Sequence, residues 1–409
     1  MAHLRVRVDR KTRKLILHNG AGEQIEVGER TWSPWLQVKF KFSFLQSVTG
    51  IVRFYCRQLD PWLEFYASPI NFDPAAPVFP ISSPSDYGKE LAGQIGNFSS
   101  LGMAEDHGGL ENGRLDEAAY HDQCNLVLAE REAMTLFELD RFSGGLFFVV
   151  FDTPDRFQHM FWRFRDPEHP FFDATAAKDL ADAVEQHYRR YDALLGRVME
   201  RVDEETLLIV LSDHGFHTFR RAVDINTWLL GNDLLKTRGD GEHAEVDWSR
   251  SFAYAIGLGG IYLNRKGRES QGIVDADGQA ERVCEAISAG LSGLRDPLSG
   301  KVSINSVARS EQLYSGPYAA QAPDLLVNFA PGFRVSWESA LGKMSGSVFQ
   351  DNLRRWSGDH IMDPRCVPGI LLLNKNAPIE DADIRDIAPT VLKYLDLRDE
   401  EHIEGKSLL

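Results

Sequence analysis

The sequence has few cysteines, no long apolar run and a deficit of basic charge. Among its 409 residues, four widely spaced cysteines form no C-x-x-C pair, which excludes a small disulfide-stapled scaffold: Cys56, Cys124, Cys284 and Cys366. No apolar run reaches the roughly 18 residues that a membrane span requires. The first residues alternate charged and aliphatic side chains where a signal peptide would have an apolar block. The chain as given is therefore expected to be cytoplasmic, without a membrane span.

The charge balance limits the partners that the chain can bind. Forty-five Lys and Arg residues oppose 60 Asp and Glu residues, giving a net charge of −15. Binding to a nucleic-acid polymer needs a basic stripe that displaces counterions, so we do not expect it. The ordinary globular composition, with 43% hydrophobic residues, predicts a chain that buries a large core.

The amino-terminal part reads as antiparallel β structure with one polar face. Five apolar residues from Leu36 to Phe44 alternate with polar ones, and Leu4, Val6 and Val8 repeat the pattern. Such half-buried alternation is typical of a cap or an insertion. Residues 1–140 are therefore predicted to form a β-rich and mixed cap or insertion.

From residue 141 the pattern changes to short apolar runs separated by amphipathic helices. The runs lie at Leu146–Phe151, Thr206–Leu211, Leu325–Phe329 and Ile370–Leu373. Apolar side chains recur at helical spacing from Leu180 to Val202, with His187 on the polar side, and a further helix should follow Asp386. We predict an α/β half, residues 141–409, whose mostly parallel sheet has helices on both faces and ligands at its strand ends.

The first motif with chemical potential follows the run 146–151. Asp155 and His159 are four residues apart, so a helical turn would place both on one face, where they could bind one metal ion. Read alone, the spacing also fits a surface ion pair on a helix.

Two further motifs lie close to predicted strand ends. Ser212-Asp213-His214-Gly215 follows the run 206–211, and both ligand-type side chains reach one ion only if the chain turns, for which Gly215 supplies freedom. The alternative is a polar turn in which Asp213 caps a helix. Gly358-Asp359-His360 adds a third imidazole before the strand at 370.

The three motifs together predict a metal centre. Zinc and manganese prefer the carboxylate and imidazole ligands offered by five residues: Asp155, His159, His360, Asp213 and His214. His217 and Arg220 follow closely. They are candidates for substrate binding or for support of the ligands, although a solvent-facing or supporting role for His217 and a surface charge for Arg220 are the readings that each residue favours alone.

The order of these motifs, with Pro368-Gly369-Ile370-Leu371 and Asp386-Ile387-Ala388-Pro389-Thr390, resembles the type I phosphodiesterase/nucleotide pyrophosphatase family of the alkaline phosphatase superfamily over residues 141–400. The resemblance implies an alkaline-phosphatase-like fold and two divalent ions, zinc or manganese, that act on a small phosphoester. By matching position, Asp155, His159 and His360 would hold one ion. Asp213 and His214 would supply part of the second ligand set.

The family's threonine or serine nucleophile has no counterpart before residue 141, where no apolar strand ends in Asp-Gly ahead of a helix start; Thr49 lacks that context. We therefore expect a chain that lacks the amino-terminal part, binds about one ion tightly and has weak activity of its own. An incomplete sheet would expose apolar edges and favour self-association. The alternatives are a phosphoglycerate mutase-like or sulfatase-like enzyme of the same superfamily, and a non-catalytic metal-binding fragment that pairs with a missing half.

Overall fold

The computed structural model describes residues 3–19, 22–41, 47–239, 245–276, 278–377, 379, 381–398 and 402–409. Phe42 and Phe44 of the predicted alternation lie outside these ranges. The helices are α1 (Tyr87–Ile95), α2 (His107–Glu111), α3 (Glu117–Leu139), α4 (Thr153–Phe161), α5 (Ala177–Leu180), α6 (Ala183–Met199), α7 (Ile225–Gly231), α8 (Gly278–Leu291), α9 (Ser310–Leu313), α10 (Trp337–Ala340) and α11 (Ile387–Tyr394). No helix in these ranges is both long and apolar enough to cross a membrane.

The strands are β1 (Arg5–Asp9), β2 (Lys14–His18), β3 (Gln24–Gly28), β4 (Thr31–Trp32), β5 (Leu36–Lys41), β6 (Ser47–Val52), β7 (Phe54–Gln58), β8 (Glu64–Ala67), β9 (Asn71–Phe72), β10 (Ile209–Leu211), β11 (His217–Val223), β12 (Thr237–Arg238), β13 (Glu245–Val246), β14 (Ala253–Ile256), β15 (Gly260–Leu263), β16 (Ile304–Arg309), β17 (Leu325–Phe329), β18 (Gly332–Val335), β19 (Phe349–Asp351), β20 (Gly358–Asp359) and β21 (Leu371–Leu373). The chain divides into two compact units. The first contains residues 1–160 and 184–206, and the second contains 161–183 and 207–409.

The first unit begins with three small antiparallel sheets, ordered β1-β2-β3, β4-β7-β8 and β5-β6-β9. Leu15, Leu17, Leu36 and Cys56 are fully buried between them. β5 shows the period-2 alternation expected of a strand with one buried face, whereas β2 and β7 each bury three consecutive residues. The predicted antiparallel β structure is confirmed here. Its role as a cap or insertion stays a prediction.

Two long helices, α3 and α6, complete the first unit with α4. α3 begins where the Asp116 side chain accepts a hydrogen bond from the Ala119 amide at 2.9 Å, an ordinary N-cap. The helix predicted between Leu180 and Val202 is present as α6. The prediction that His187 lies on the polar side of this helix, in solvent, is wrong, because the residue is 5% exposed and its ring stacks on Phe157 with centroids 4.3 Å apart. Burial lowers the pKa of His187 to about 4.

The core of the second unit lies on a four-stranded antiparallel sheet in the order β14-β15-β17-β16. Ile261, Leu325 and Phe329 of this sheet are fully buried, and side chains of α7 and α8 pack in the same cluster. The predicted strand at 325–329 is thus confirmed as β17. Helices supply cover for this sheet although its strands run antiparallel, which explains why its apolar run looks like that of a parallel strand.

A mostly parallel sheet is not confirmed. Between named strands in the described ranges, β11 and β18 form the one parallel pair, within a sheet that also contains β19 and β20. The predicted strands at 206–211 and 370–373 are present as β10 and β21, and they pair antiparallel with each other. The α/β content stands, but the predicted direction of the strands was inferred from apolarity alone, which does not report strand direction.

The predicted strand at Leu146–Phe151 is wrong. These residues belong to no helix or strand, and every second side chain is exposed, Leu146 by 64%, Phe148 by 75% and Val150 by 57%. The run has the composition of a buried strand, yet it pairs with no other strand in the part of the chain that the structure describes. Exposed apolar residues in such a row are unusual for a soluble monomer.

Candidate metal centre

The helix α4 carries the first pair of predicted ligands. Pro154 lies in its first turn, where a missing amide hydrogen is tolerated, and the helix places Asp155 and His159 one turn apart. The Nε2 atom of His159 lies 3.4 Å from Oδ1 of Asp155. His159 is 2% exposed, and the Arg156 guanidinium pairs with the Asp155 carboxylate. The i, i+4 spacing therefore brings carboxylate and imidazole to one point, as predicted.

The turn Ser212–Gly215 carries the second pair. The chain bends at Asp213 directly after β10, and Oδ1 of Asp213 lies 3.7 Å from Nε2 of His214. Gly215 does not take a left-handed conformation; it allows close approach instead, because a Cβ atom there would lie 2.6 Å from the Pro368 carbonyl oxygen. The prediction that the chain turns is confirmed, with this different reason for the glycine.

Backbone hydrogen bonds join this turn to the segment that leads into β21. The Gly215 amide donates to the Val367 carbonyl at 2.8 Å, and the Ser212 amide donates to the Ile370 carbonyl at 3.0 Å. The Ser212 hydroxyl accepts from the Ile370 amide at 2.9 Å. The turn is thus held at both ends, which limits the positions that the His214 ring can take.

A hydrogen bond fixes one nitrogen of the His214 ring. Its Nδ1 atom lies 2.9 Å from the Gly215 carbonyl oxygen, which can only accept, so Nδ1 carries a proton and Nε2 is the nitrogen left for a metal ion. Metal-binding histidines commonly use the second ring nitrogen in this way. Nε2 is also the atom that faces Asp213.

His360 lies against His214. The two imidazole rings stack with centroids 3.6 Å apart and planes 9° apart, and Phe216 contacts both, with centroids at 6.1 Å from His214 and 5.6 Å from His360. Trp162 in turn stacks on Phe216, with ring centroids 5.6 Å apart. Within the second unit, three predicted ligands, Asp213, His214 and His360, are therefore neighbours.

The donor atoms fit a divalent ion in kind and in spacing. Ligand atoms about 2.0–2.2 Å from an ion at tetrahedral angles lie about 3.3–3.6 Å from each other. The separation of 3.4 Å between Asp155 and His159 matches this spacing, and 3.7 Å between Asp213 and His214 is close to it. Each pair offers one carboxylate oxygen and one imidazole nitrogen, a combination suited to zinc or manganese.

The two candidates for substrate binding have different surroundings. Both line a cavity of about 440 Å³ in the second unit. Burial lowers the pKa of His217, which begins β11 opposite Asp359. Arg220 is engaged: its Nε and Nη2 atoms bind both oxygens of Asp166 at 2.7 and 2.6 Å, and it also pairs with Glu168. This bidentate pairing favours a structural role for Arg220.

Sequence reasoning missed three side chains around the histidines. Phe216 was overlooked because an aromatic residue between motifs reads as core, and Asp359 was treated only as part of the motif that carries His360. Arg334, 3% exposed, forms a salt bridge of 2.7 Å with Asp359. The available signal was the acidic residue directly before a predicted ligand.

The profile of the type I phosphodiesterase / nucleotide pyrophosphatase family matches residues 105–350. The chain belongs to this family. The match contains Asp155, His159, Asp213 and His214, and it ends before His360. No curated protein and no solved structure matches the chain.

Membership confirms the resemblance found from the motifs, and the family is one of hydrolases. The match begins before residue 141, so this phosphodiesterase-family chain shares with its relatives a segment that includes α2 and α3, which the motifs alone did not assign to the family.

Proposed function

We propose that this phosphodiesterase-family chain forms a divalent-metal centre that hydrolyses small phosphoesters. Asp155, His159 and His360 would supply one carboxylate and two imidazoles for one ion, as the resemblance of their motifs to the family implies. Asp213 and His214 contribute to the binding of a second ion. The observation that carries the proposal is the family match together with the close approach of carboxylate and imidazole in each pair.

Bound divalent ions would polarise the phosphoryl group and stabilise the charge that develops on its oxygens. The chain's own residues would orient the ligands. α4 fixes Asp155 relative to His159, the Gly215 carbonyl fixes the proton of His214 on Nδ1, and Phe216 packs against the rings of His214 and His360. Such supporting contacts set both the geometry and the affinity of a metal site.

The proposal assigns no side chain as the nucleophile. Thr49, the nearest candidate in the sequence, lies inside β6 opposite Lys39 in an antiparallel ladder, and this position is unlike a helix start beside a metal site. We propose that water is the attacking group available to this chain, that its activity is weak, and that one zinc or manganese ion is held tightly. Asp213 and His214 alone are too few ligands for a second tight ion.

Metal analysis and activity assays on the purified chain test the proposal. We expect about one Zn²⁺ or Mn²⁺ per chain after dialysis, and His360→Ala or Asp155→Asn should lose it. His402→Ala, which alters an exposed histidine, is the control. Wild type that retains no metal, or a His360→Ala variant that retains it fully, would contradict the metal centre.

A nitrophenyl phosphodiester, a phosphomonoester and a sulfate ester distinguish the reaction types. We expect slow, metal-dependent hydrolysis of the phosphodiester first. A preference for the monoester or the sulfate would favour the mutase-like or sulfatase-like alternative. Metal binding without hydrolysis of any of the three would favour the non-catalytic alternative.

A further inference from the structure

The carboxylate of Asp359 binds the backbone of the residue that carries a predicted metal ligand. Its Oδ1 atom accepts hydrogen bonds from the amides of His360 and Ile361, both at 2.8 Å. Its Oδ2 atom accepts from the indole N–H of Trp356 at 2.8 Å and pairs with Nε of Arg334 at 2.7 Å. Asp359 is 1% exposed. Both carboxylate oxygens are therefore occupied by these donors.

Arg334 is itself held in place. It lies in β18, its guanidinium carbon is 4.2 Å from the centroid of the Trp337 ring and 5.4 Å from that of Phe219, and its Nη1 donates to the Val335 carbonyl at 3.2 Å. β18 pairs with β11, and β11 pairs with β20, which contains Asp359. The charge that faces Asp359 thus comes from a side chain that ring contacts and a hydrogen bond hold within the second unit.

A buried ion pair is by itself weak evidence for a stabilising role. Desolvation of two charges offsets much of their attraction, and well-packed apolar residues of similar size often stabilise a protein as well or better. An apolar residue at position 359, however, could not accept the His360 and Ile361 amides, which would then lack these acceptors. What the carboxylate adds is the fixed direction of the backbone at residues 360 and 361.

We propose that Asp359, anchored by Arg334 and Trp356, is the positioning residue that sets the His360 imidazole for metal binding. This inference rests on the proposed metal centre. The close stack of His360 on His214 leaves little freedom for the ring, so a small change in the backbone at residue 360 moves its nitrogen atoms away from the ligand position. Groups that orient a ligand in this way typically change metal affinity by about 10–100-fold.

Asp359→Asn tests the role with little change in shape. An asparagine offers one acceptor oxygen and one NH₂ group, so it must present a donor either to the two amides or to Arg334 and Trp356. Asp324→Asn is the matched control, because Asp324 is also a buried carboxylate that accepts a backbone amide, that of Leu263 at 2.7 Å, and pairs with two arginines, Arg265 and Arg268.

Calorimetric titration of the metal-free chain with Zn²⁺, and visible absorption of the Co²⁺-loaded chain, give the readouts. We expect Asp359→Asn to weaken Zn²⁺ binding by about 10–100-fold and to alter the Co²⁺ bands at saturation, which report ligand geometry. Asp324→Asn should leave affinity and bands unchanged even if it lowers the melting temperature. Should Asp359→Asn fail to fold, Trp356→Phe removes one donor to the carboxylate and should weaken binding by about 2–5-fold.

The outcomes distinguish a failure of the positioning role of Asp359 from a failure of the metal centre. If wild type binds Zn²⁺, His360→Ala does not, and Asp359→Asn equals wild type in affinity and Co²⁺ bands, the positioning role is overturned and the metal centre stands. If wild type binds no Zn²⁺, or His360→Ala binds it like wild type, the metal centre is overturned and the positioning role falls with it.

Discussion

β17 and β21 are both short apolar strands of the second unit, but their surroundings differ. β17 is hydrogen-bonded on both sides, to β15 and β16, and Leu325, Val327 and Phe329 are at most 4% exposed. β21 pairs with β10, and Leu372 is 52% exposed, as is the preceding Ile370 by 53%. Similar composition therefore accompanies a filled core in one place and an uncovered surface in the other.

The difference separates the part that stabilises the second unit from the part that carries its chemistry. The sheet of β14, β15, β17 and β16, called the filled sheet from here on, contains none of the predicted ligands of this unit. Asp213 and His214 follow β10, and the segment after His360 leads into β21. Stability changes should thus be large in the filled sheet, whereas changes at β10 and β21 should act on metal binding and association.

Truncation of Phe329 should give the largest effect in this comparison. Phe329→Ala removes a fully buried ring from the filled sheet, and such changes cost about 3–5 kcal/mol of unfolding free energy. Urea unfolding followed by circular dichroism measures the loss. Leu372→Ala is the control and should cost less than about 1 kcal/mol, because half of its side chain is exposed. Equal losses of unfolding free energy at the two positions would contradict the difference in burial between β17 and β21.

Acid should weaken the β11 sheet through His169. Its Nε2 donates to the Phe219 carbonyl at 2.8 Å and its Nδ1 accepts from the Phe171 amide at 3.0 Å, so the neutral ring is satisfied and a second proton has no acceptor. Burial lowers the pKa of His169 to about 4. Because folding lowers the pKa of His169, the neutral ring stabilises the folded chain fully above the unfolded pKa of about 6.5. This stabilisation is lost as the pH falls to about 4, and the loss amounts to about 3 kcal/mol of unfolding free energy.

Unfolding free energies measured between pH 7 and 4 check this prediction. His169→Gln keeps a donor and an acceptor without titrating, so it should flatten the pH dependence in that window. Part of the slope will remain, since His187 in the first unit also has a lowered pKa. His402→Gln, at an exposed position, should change nothing; a His169→Gln variant with the wild-type slope would refute the assignment.

Metal binding should slow amide hydrogen exchange in β10, β21 and the turn after β10 more than in the filled sheet. Zn²⁺ that binds the folded chain stabilises the elements that hold its ligands, by an amount that depends on concentration relative to the dissociation constant. At about ten times that constant, exchange of the Ser212 and Ile370 amides should slow by about 10-fold, equal to about 1.4 kcal/mol. Hydrogen exchange with mass spectrometry, with β17 as the internal control, measures the difference. Uniform protection of both regions would contradict local coupling.

The smallest effect on stability is expected at the open strand itself. Leu372→Ser should change the unfolding free energy by less than about 0.5 kcal/mol, because surface substitutions seldom do more. It should nevertheless reduce self-association, which we predict from the exposed apolar side chains of β21 and of residues 146–150. Sedimentation velocity over a range of concentrations compares the variant with wild type. If wild type stays monomeric throughout, the predicted association is wrong.

Local patterns of the sequence predicted the parts that depend on neighbours along the chain. The i, i+4 spacing of Asp155 and His159 was enough to predict their approach, since a helix brings such residues together wherever it lies. The antiparallel amino-terminal strands and α6 followed from periodicity in the same way, and β17 followed from a short apolar run.

The failures have a different cause. The run 146–151 has a strand's composition but pairs with no described strand, and pairing depends on what lies beside a strand rather than on its own residues. His187 was assigned to the polar side of α6, whereas the neighbouring Phe157 buries it. Asp359 and Arg334 are 25 residues apart in sequence, and nothing in either local pattern connects them.

The hydrogen bonds from Ser212 and Gly215 to Ile370 and Val367 have a mechanical consequence. The turn that carries His214 and the segment between His360 and β21 are fastened together at two places, so thermal fluctuation should displace both imidazoles as a single body. Two ions, one bound by each of these imidazoles, would therefore keep a constant separation while the surrounding loops fluctuate.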